Sequence, residues 1–330
     1  MQKHFSYLLS MTLVLALGVV VLGAYTRLSD AGLGCPDWPG CYGHLSVPET
    51  VNPDHYQRPL EAHKAWKEMI HRYAAGTLGL LIVLIFGFVV LRGKQLHQSL
   101  FIPLLLLGTV IFQAMLGMWT VTHLLSPVIV TAHLLGGMTT LSLLWWLWLD
   151  RHVTQLPAFS SQSLGGIRFA SVLALLIVVL QIFLGGWTSS HYAAIACGID
   201  FPTCQGQWWP PTDFANAFSF SWNPGVNYEF GTLENPARTA IHLTHRIGAL
   251  VVVLWLGGLG LKLLTRPCSL VGLIPQVILG LLAIQVSLGI MNVVLALPLP
   301  IATAHTLGAA LLLMAVLALN HRLFRIRTFY

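Results

Sequence analysis

Apolar residues along this chain run together rather than alternating with polar ones. Eight long stretches stand out, roughly Tyr7 to Thr26, Met69 to Leu91, Leu100 to Thr120, Val128 to Leu149, Phe169 to Thr188, Thr239 to Leu261, Leu270 to Val293 and Pro300 to Leu319. A helix needs about 20 apolar residues to cross a bilayer, so the pattern predicts eight membrane-spanning helices. The first stretch follows Met1-Gln2-Lys3-His4 and has the outline of a signal peptide. No small-residue cleavage site follows it, and Gly23-Ala24-Tyr25-Thr26-Arg27 recurs in part downstream, so it is read as the first span.

Polar residues inside these stretches are few, and their placement carries the chemistry. Glu68-Met69-Ile70-His71-Arg72 puts a carboxylate and an imidazole three residues apart at the head of the second stretch. Such a pair shares one face of a helix. His242-Leu243-Thr244-His245-Arg246 is a near copy at the head of the sixth, with His242 where Glu68 stands. Ionisable groups inside a membrane helix are costly and mark function.

Composition narrows the class. The 330 residues are 56% hydrophobic and 8% charged, with a mean hydropathy of +0.75, which excludes a soluble globular protein and fits an all-α polytopic membrane protein. A net charge of +6 does not imply nucleic acid, because the positive residues collect at one set of helix ends. Lys3, Arg92, Lys94, Arg151, Arg168, Lys262, Arg266, Arg322, Arg325 and Arg327 lie there, with Asp150 the single acid. The opposite side carries nearly all the acids and two long loops, roughly 28–67 and 189–237. The positive-inside rule therefore predicts both termini in the cytoplasm and the long loops outside.

The chain repeats itself. Cys35-Pro36-Asp37-Trp38-Pro39-Gly40-Cys41-Tyr42-Gly43 is echoed by Cys197-Gly198-Ile199-Asp200-Phe201-Pro202-Thr203-Cys204-Gln205-Gly206. Gln113 with Leu116-Gly117 matches Gln285 with Leu288-Gly289, and Thr131-Ala132-His133 matches Thr303-Ala304-His305, followed by Gly136 and Gly308. The offset is 172 residues for these two pairs and 174 for His71 and His245. Four spans per repeat make the halves parallel rather than inverted, so two duplicated four-helix bundles are expected, residues 1–150 and 151–330.

Duplication sorts the fourteen histidines. Only His71, His133, His245 and His305 are both intramembrane and matched across the halves, each one to two turns inside the outer end of its span. Two imidazoles at one depth on two helices of a bundle can take both axial positions of a haem. Ala74, Ala75 and Gly136, and likewise Gly248, Ala249 and Gly308, leave room for a flat macrocycle. Interhelical hydrogen bonding is the plainer reading of any one such histidine, and the duplicated register favours ligation. His63, His123 and His191 are read as interfacial. His4, His97, His152 and His321 read as cytoplasmic surface residues, and His44 and His55 as loop residues.

Cys35 with Cys41, and Cys197 with Cys204, form close pairs in the exported loops, where disulfides or a redox-active pair are expected ahead of a zinc site. Cys268 is unpaired on the cytoplasmic side.

Taken together, these residues resemble the haem A synthase family over essentially the whole length. The resemblance rests on eight spans in two repeats, Glu68-x-x-His71-Arg72, His245-Arg246, the two Thr-Ala-His motifs and the paired loop cysteines. It implies a membrane haem-dependent oxidoreductase of the bacterial inner membrane that oxidises the C8 methyl of haem o to a formyl group, giving haem a for terminal oxidases. It assigns His71 and His133 to the substrate haem, and His245 and His305 to an iron-bearing haem b cofactor. Glu68 then stands as the catalytic carboxylate, since only the first half has an acid there. A structural acid favoured by the helix dipole is the alternative. Arg72 and Arg246 are candidate contacts to haem propionates, with snorkelling as the alternative. Haem O synthase is the implied supplier of substrate, the electron donor is left open, and homo-oligomerisation is compatible with the chain.

The residues alone reach a two-haem membrane protein. A bis-histidine b-type cytochrome that only transfers electrons, or a haem or ion transporter, stays open on that reading. An electron carrier has no need of a carboxylate at one haem only, and transporters bind near the midplane rather than near the outer face.

Overall fold

The computed structural model describes the chain apart from Met1, Pro53, Gln57, residues 154–158 and 161–163, Trp222, Pro267, Arg327 and Tyr330. It is helical, with α1 (Gln2–Leu28), α2 (Ala62–Leu96), α3 (Phe101–Thr122), α4 (Pro127–His152), α5 (Gly165–Ser190), α6 (Phe214–Ala217), α7 (Asn235–Leu264), α8 (Cys268–Val271), α9 (Ile274–Val294) and α10 (Leu299–Arg325). Among the described residues the rest is irregular but for a two-residue parallel pairing of Phe159–Ser160 with Thr328–Phe329 and isolated bridges between Cys41 and His44 and between Cys204 and Gln207. Eight of the helices, all but α6 and α8, are long and apolar enough to cross a membrane.

Each predicted span falls within one long helix, except the head of the seventh, and most of the helices run further than the apolar pattern. α2 begins at Ala62, so Ala62 to Glu68 continues the helix above the apolar run. The seventh predicted span is divided: Gly272 has φ +62°, which ends the short α8, and α9 then starts with Pro275 in its first turn. Proline also opens α4, α7 and α10, where its fixed φ suits the first turn and its missing N–H costs nothing.

Within residues 1–152, α1 packs on α2 and α4, and α3 packs on the same two helices. α5, α7, α9 and α10 repeat the arrangement: α5 and α9 each pack on α7 and α10. The halves meet where α4 lies on α5 and where α10 lies on α1 and α4. Trp145 Nε1 donates to the Met314 carbonyl at 2.8 Å across that seam. At the end with the long loops, Arg27 donates to Tyr192 Oη (2.9 Å) and to the Ser189 carbonyl (2.8 Å), and Arg58 pairs with Glu229 at 2.8 Å.

One continuous apolar core fills the end nearer the termini. Phe5, Leu9, Ile82, Ile85, Leu141, Leu144, Val316 and Leu319 are among its fully buried members. His321 belongs to this end as well, and it is a buried residue rather than a surface one. Its Nε2 lies 2.8 Å from Asp150 Oδ1, Arg325 shares the same carboxylate, and Trp146 packs edge-on against the ring. The reason is that α10 runs on to Arg325 and carries this turn under α4.

Candidate functional site

A helix packed in a bundle normally buries a residue every turn or so along its inner face. Towards the loop end that pattern lapses. No residue of α1 between Ala16 and Thr26 is buried, nor of α2 between Met69 and Leu78, nor of α4 between Thr131 and Met138. In the second half the lapse falls between Leu243 and Val252 of α7, between Leu282 and Val293 of α9, and between Ala302 and Gly308 of α10. All four matched histidines lie inside these lapses. In each half the turns that carry these histidines are thus less closely covered than the rest of the bundle.

Each histidine ring rests on a glycine of the membrane helix before its own. A Cβ on Gly23 of α1 would lie 3.0 Å from His71 Cε1, and one on Gly117 of α3 would lie 3.4 Å from His133 Cε1. Gly185 of α5 meets His245 at 3.3 Å, and Gly289 of α9 meets His305 at 3.1 Å. The histidines sit six to ten residues into their helices, which for α2 and α7 is deeper than expected because both helices extend above the apolar run.

The two halves differ in what holds the rings. Gln181 Nε2 lies 3.1 Å from His245 Nδ1 and donates to the His245 carbonyl at 3.0 Å, and Gln285 Nε2 lies 3.3 Å from His305 Nε2. In the first half, Nδ1 of His71 and of His133 and Nε2 of Gln113 are buried without a protein partner, as is Nδ1 of His305 in the second. Two imidazoles on two helices of one half are the donor set of a bis-histidine haem, so the residues present fit a haem in each half.

Above each pair of histidines sits a small closed loop. Cys35 and Cys41 are bonded with Cα atoms 4.8 Å apart, and Cys197 and Cys204 with Cα atoms 4.6 Å apart. Cys41 and His44 exchange backbone hydrogen bonds around Tyr42 and Gly43, with φ of 52° and 78°. Cys204 and Gln207 do the same around Gln205 and Gly206, at 54° and 74°. Positive φ at both central residues defines a type I′ turn, and it explains the glycine in each repeat. Asp37 accepts from the backbone of Tyr42 and Gly43, and Asp200 from that of Gly206.

The arginines after the ligand candidates hold these loops. Arg72 donates to the carbonyls of Asp37 (2.9 Å), Pro39 (3.3 Å) and Gly40. Arg246 donates to those of Asp200 (2.8 Å), Thr203 (2.9 Å) and Pro202 (3.4 Å). Both guanidiniums are thus directed at loop backbone. Glu68 lies beneath the first loop, 5% exposed, accepting from Cys35 N–H at 2.9 Å and pairing with Arg72 at 2.5 Å. His242 takes the corresponding place, its Nε2 accepting from Arg246 Nε at 3.0 Å. Glu68 and His242 orient their arginines alike, and they differ in charge.

Eight helices able to cross a membrane, carrying two pairs of matched histidines with a cystine-closed loop near each pair, define a polytopic membrane protein. The comparison with known proteins sharpens this. The family model of cytochrome oxidase assembly proteins of the COX15-CtaA type matches residues 6–317, and the chain belongs to that family. It is similar to the Heme A synthase of Shewanella oneidensis, with 45% identity over 96% of each chain. It is also similar to the Heme A synthase of Paracoccus denitrificans (27% identity, 93% of this chain and 84% of the relative). A further relative is Heme A synthase COX15 of Arabidopsis thaliana (29% identity, 93% and 72%).

Proposed function

We propose that this protein is an oxidoreductase that converts haem o into haem a by oxidising the C8 methyl to a formyl group. The observation that carries the reading is the duplicated lapse in helix burial with paired histidines inside it. It is supported by membership of the family and by the names of the relatives.

In this reading the halves are two parallel four-helix bundles, residues 1–150 and 151–330, although α4 runs to His152. His71 and His133 bind substrate, and their freedom from protein partners suits a ring that must come and go. His245 and His305, each steadied by a glutamine amide, hold a resident haem b. Haem b supplies one-electron redox chemistry when bound. Glu68 takes up a proton from the reacting methyl region or offsets charge developing there. Arg72 competes for that carboxylate, so proton uptake at Glu68 loosens its hold on the first loop. The bonds Cys35–Cys41 and Cys197–Cys204 form in the cell, and the loops they close lie on the periplasmic side of a bacterial inner membrane with both termini in the cytoplasm. Haem O synthase is the natural supplier of the substrate.

Pigment extraction from purified protein tests the reading. Haem b together with haem o or haem a is the expected content, and haem b alone in both halves would identify an electron-transfer cytochrome instead.

A further inference from the structure

The two disulfide-closed loops present apolar side chains at matched places. Leu45 follows the Cys41–His44 turn and Trp208 the Cys204–Gln207 turn, and they are 80% and 75% exposed. Trp38 and Phe201, each just before a proline, are exposed as well. Trp208 lies 163 residues after Leu45, as Phe201 does after Trp38 and Cys204 after Cys41. Neither tip carries a free acid. The carboxylates of Asp37 and Asp200 turn back onto loop N–H groups, and residues 35–47 and 197–209 contain no lysine, arginine or glutamate.

What the tips meet follows from the helices beside them. Ile70, Tyr73, Leu80, Leu84 and Leu91 are exposed along α2, and Ile247, Leu250, Leu254 and Leu261 along α7. Steps of three, four and seven residues keep each set in one stripe. On a helix that crosses a membrane, an apolar stripe left open by the bundle faces lipid. Tyr73 belongs to that stripe, and its hydroxyl donates to the Leu45 carbonyl. The rim of the first loop therefore reaches the lipid-facing flank of α2, four residues inside the apolar run that starts at Met69. In the second half Ile247 stands where Tyr73 does, 174 residues on, in the register of the histidines. The Arg246 guanidinium lies 5.7 Å from the centre of the Phe201 ring, which ties that loop to the same turn of α7.

We propose that the two tips are bilayer anchors. Leu45 with Trp38, and Trp208 with Phe201, seat between the head groups and acyl chains of the leaflet at the loop end. Aromatic and aliphatic side chains with polar backbone beside them favour that zone. A protein partner would have to fit an aliphatic tip in one half and an indole in the other, whereas a lipid boundary accepts both. Each loop is then held twice, by its arginine within the protein and by lipid at its rim.

Depth is read by power-saturation electron paramagnetic resonance, with the full chain in phosphatidylcholine–phosphatidylglycerol vesicles. Leu45 and Trp208 are replaced in turn by p-acetylphenylalanine and coupled to a hydroxylamine nitroxide, which leaves the cysteines untouched. Both positions are so open that the label displaces no packed neighbour. Labels at Glu49 and Leu84 serve as the aqueous and hydrocarbon references. At both tips, the ratio of collisions with oxygen to collisions with a water-soluble nickel chelate is expected well above that at Glu49 and below that at Leu84. A ratio at the Glu49 level would put the tips in water, and suppression of both collisions would put a protein surface over them. A ratio at the Leu84 level would put loop backbone in hydrocarbon, where its polar groups go unmatched. Any of these overturns the anchors, as does the expected ratio at one tip only. Labels at Trp38 and Phe201 give the same reading if a tip variant is lost on purification.

Discussion

Replacing Glu68 by the residue of the other half separates its two possible roles. Glu68 Oε1 pairs with Arg72 at 2.5 Å and Oε2 accepts from Cys35 N–H at 2.9 Å, in a site 5% exposed. Glu68→Ala removes both. Breaking a buried ion pair costs about 3–5 kcal/mol, and the carbonyls of Asp37, Pro39 and Gly40 still face Arg72, so the low end applies. The stranded Cys35 N–H adds about 1–3 kcal/mol. A total of about 4–6 kcal/mol is a large share of a domain's stability. Glu68→His restores an acceptor for Arg72, as His242 does for Arg246 at 3.0 Å. It should fall within about 2 kcal/mol of the unaltered protein, the size of one unmet hydrogen bond. Melting followed at the haem b Soret band reads stability, and chromatography of extracted pigments reads the reaction. The alanine variant is expected to melt early. The histidine variant is expected to melt near normal, keep haem b and accumulate haem o. Normal haem a from Glu68→His would remove Glu68 from the chemistry and leave it a loop clamp. Equal destabilisation by alanine and histidine would refute the equivalence with His242.

Other outcomes follow from the same geometry. His245→Met and His305→Met should remove stably bound haem b from inserted protein, while His71→Met and His133→Met spare haem b and abolish haem a; identical loss from all four would defeat the division of labour between halves. Gly289→Val places a branched side chain where a Cβ already lies 3.1 Å from His305 Cε1, so haem b content should fall several-fold, whereas Gly18→Val, which meets nothing within 4 Å, should leave pigment unchanged. Arg246→Gln should release the second disulfide loop, read as faster proteolysis near Asp200, with haem b content falling less than in His245→Met; loss of haem b equal to that of the ligand variant would favour the propionate role instead. Alkylation before and after reductant should find Cys197 and Cys204 protected only in the unreduced protein.

Apolar length alone located the spans, because a run of about 20 such residues has few other solutions. Duplication located the histidines, since two copies of His-Arg and Thr-Ala-His in register are hard to produce by packing needs alone. What stayed hidden has physical reasons. Gly23 and Gly185 cradle their histidines, yet they are spaced by 162 residues rather than 172, and glycine is common in membrane helices. Arg72 and Arg246 bind backbone carbonyls, acceptors that every residue carries and that leave no trace in side-chain pattern. His321 sits among the positive residues that collect at one set of helix ends, and its burial depends on how α10 passes beneath α4. The glutamines were visible as a matched pair, Gln113 and Gln285, but Gln181 has no counterpart in the first half and gave no repeat signal.

The arginine staples also bear on how a bulky apolar molecule gains entry. Each is one residue from a histidine that faces the interior, and each fastens three carbonyls of the loop overhead. Lifting either loop would break those bonds together and disturb the helical turn that positions the neighbouring imidazole. The roof of each bundle is therefore the stiff part of the structure and the seams between helices the yielding part. A bulky apolar molecule dissolved in the membrane is therefore expected to enter sideways, through the flank facing the lipid.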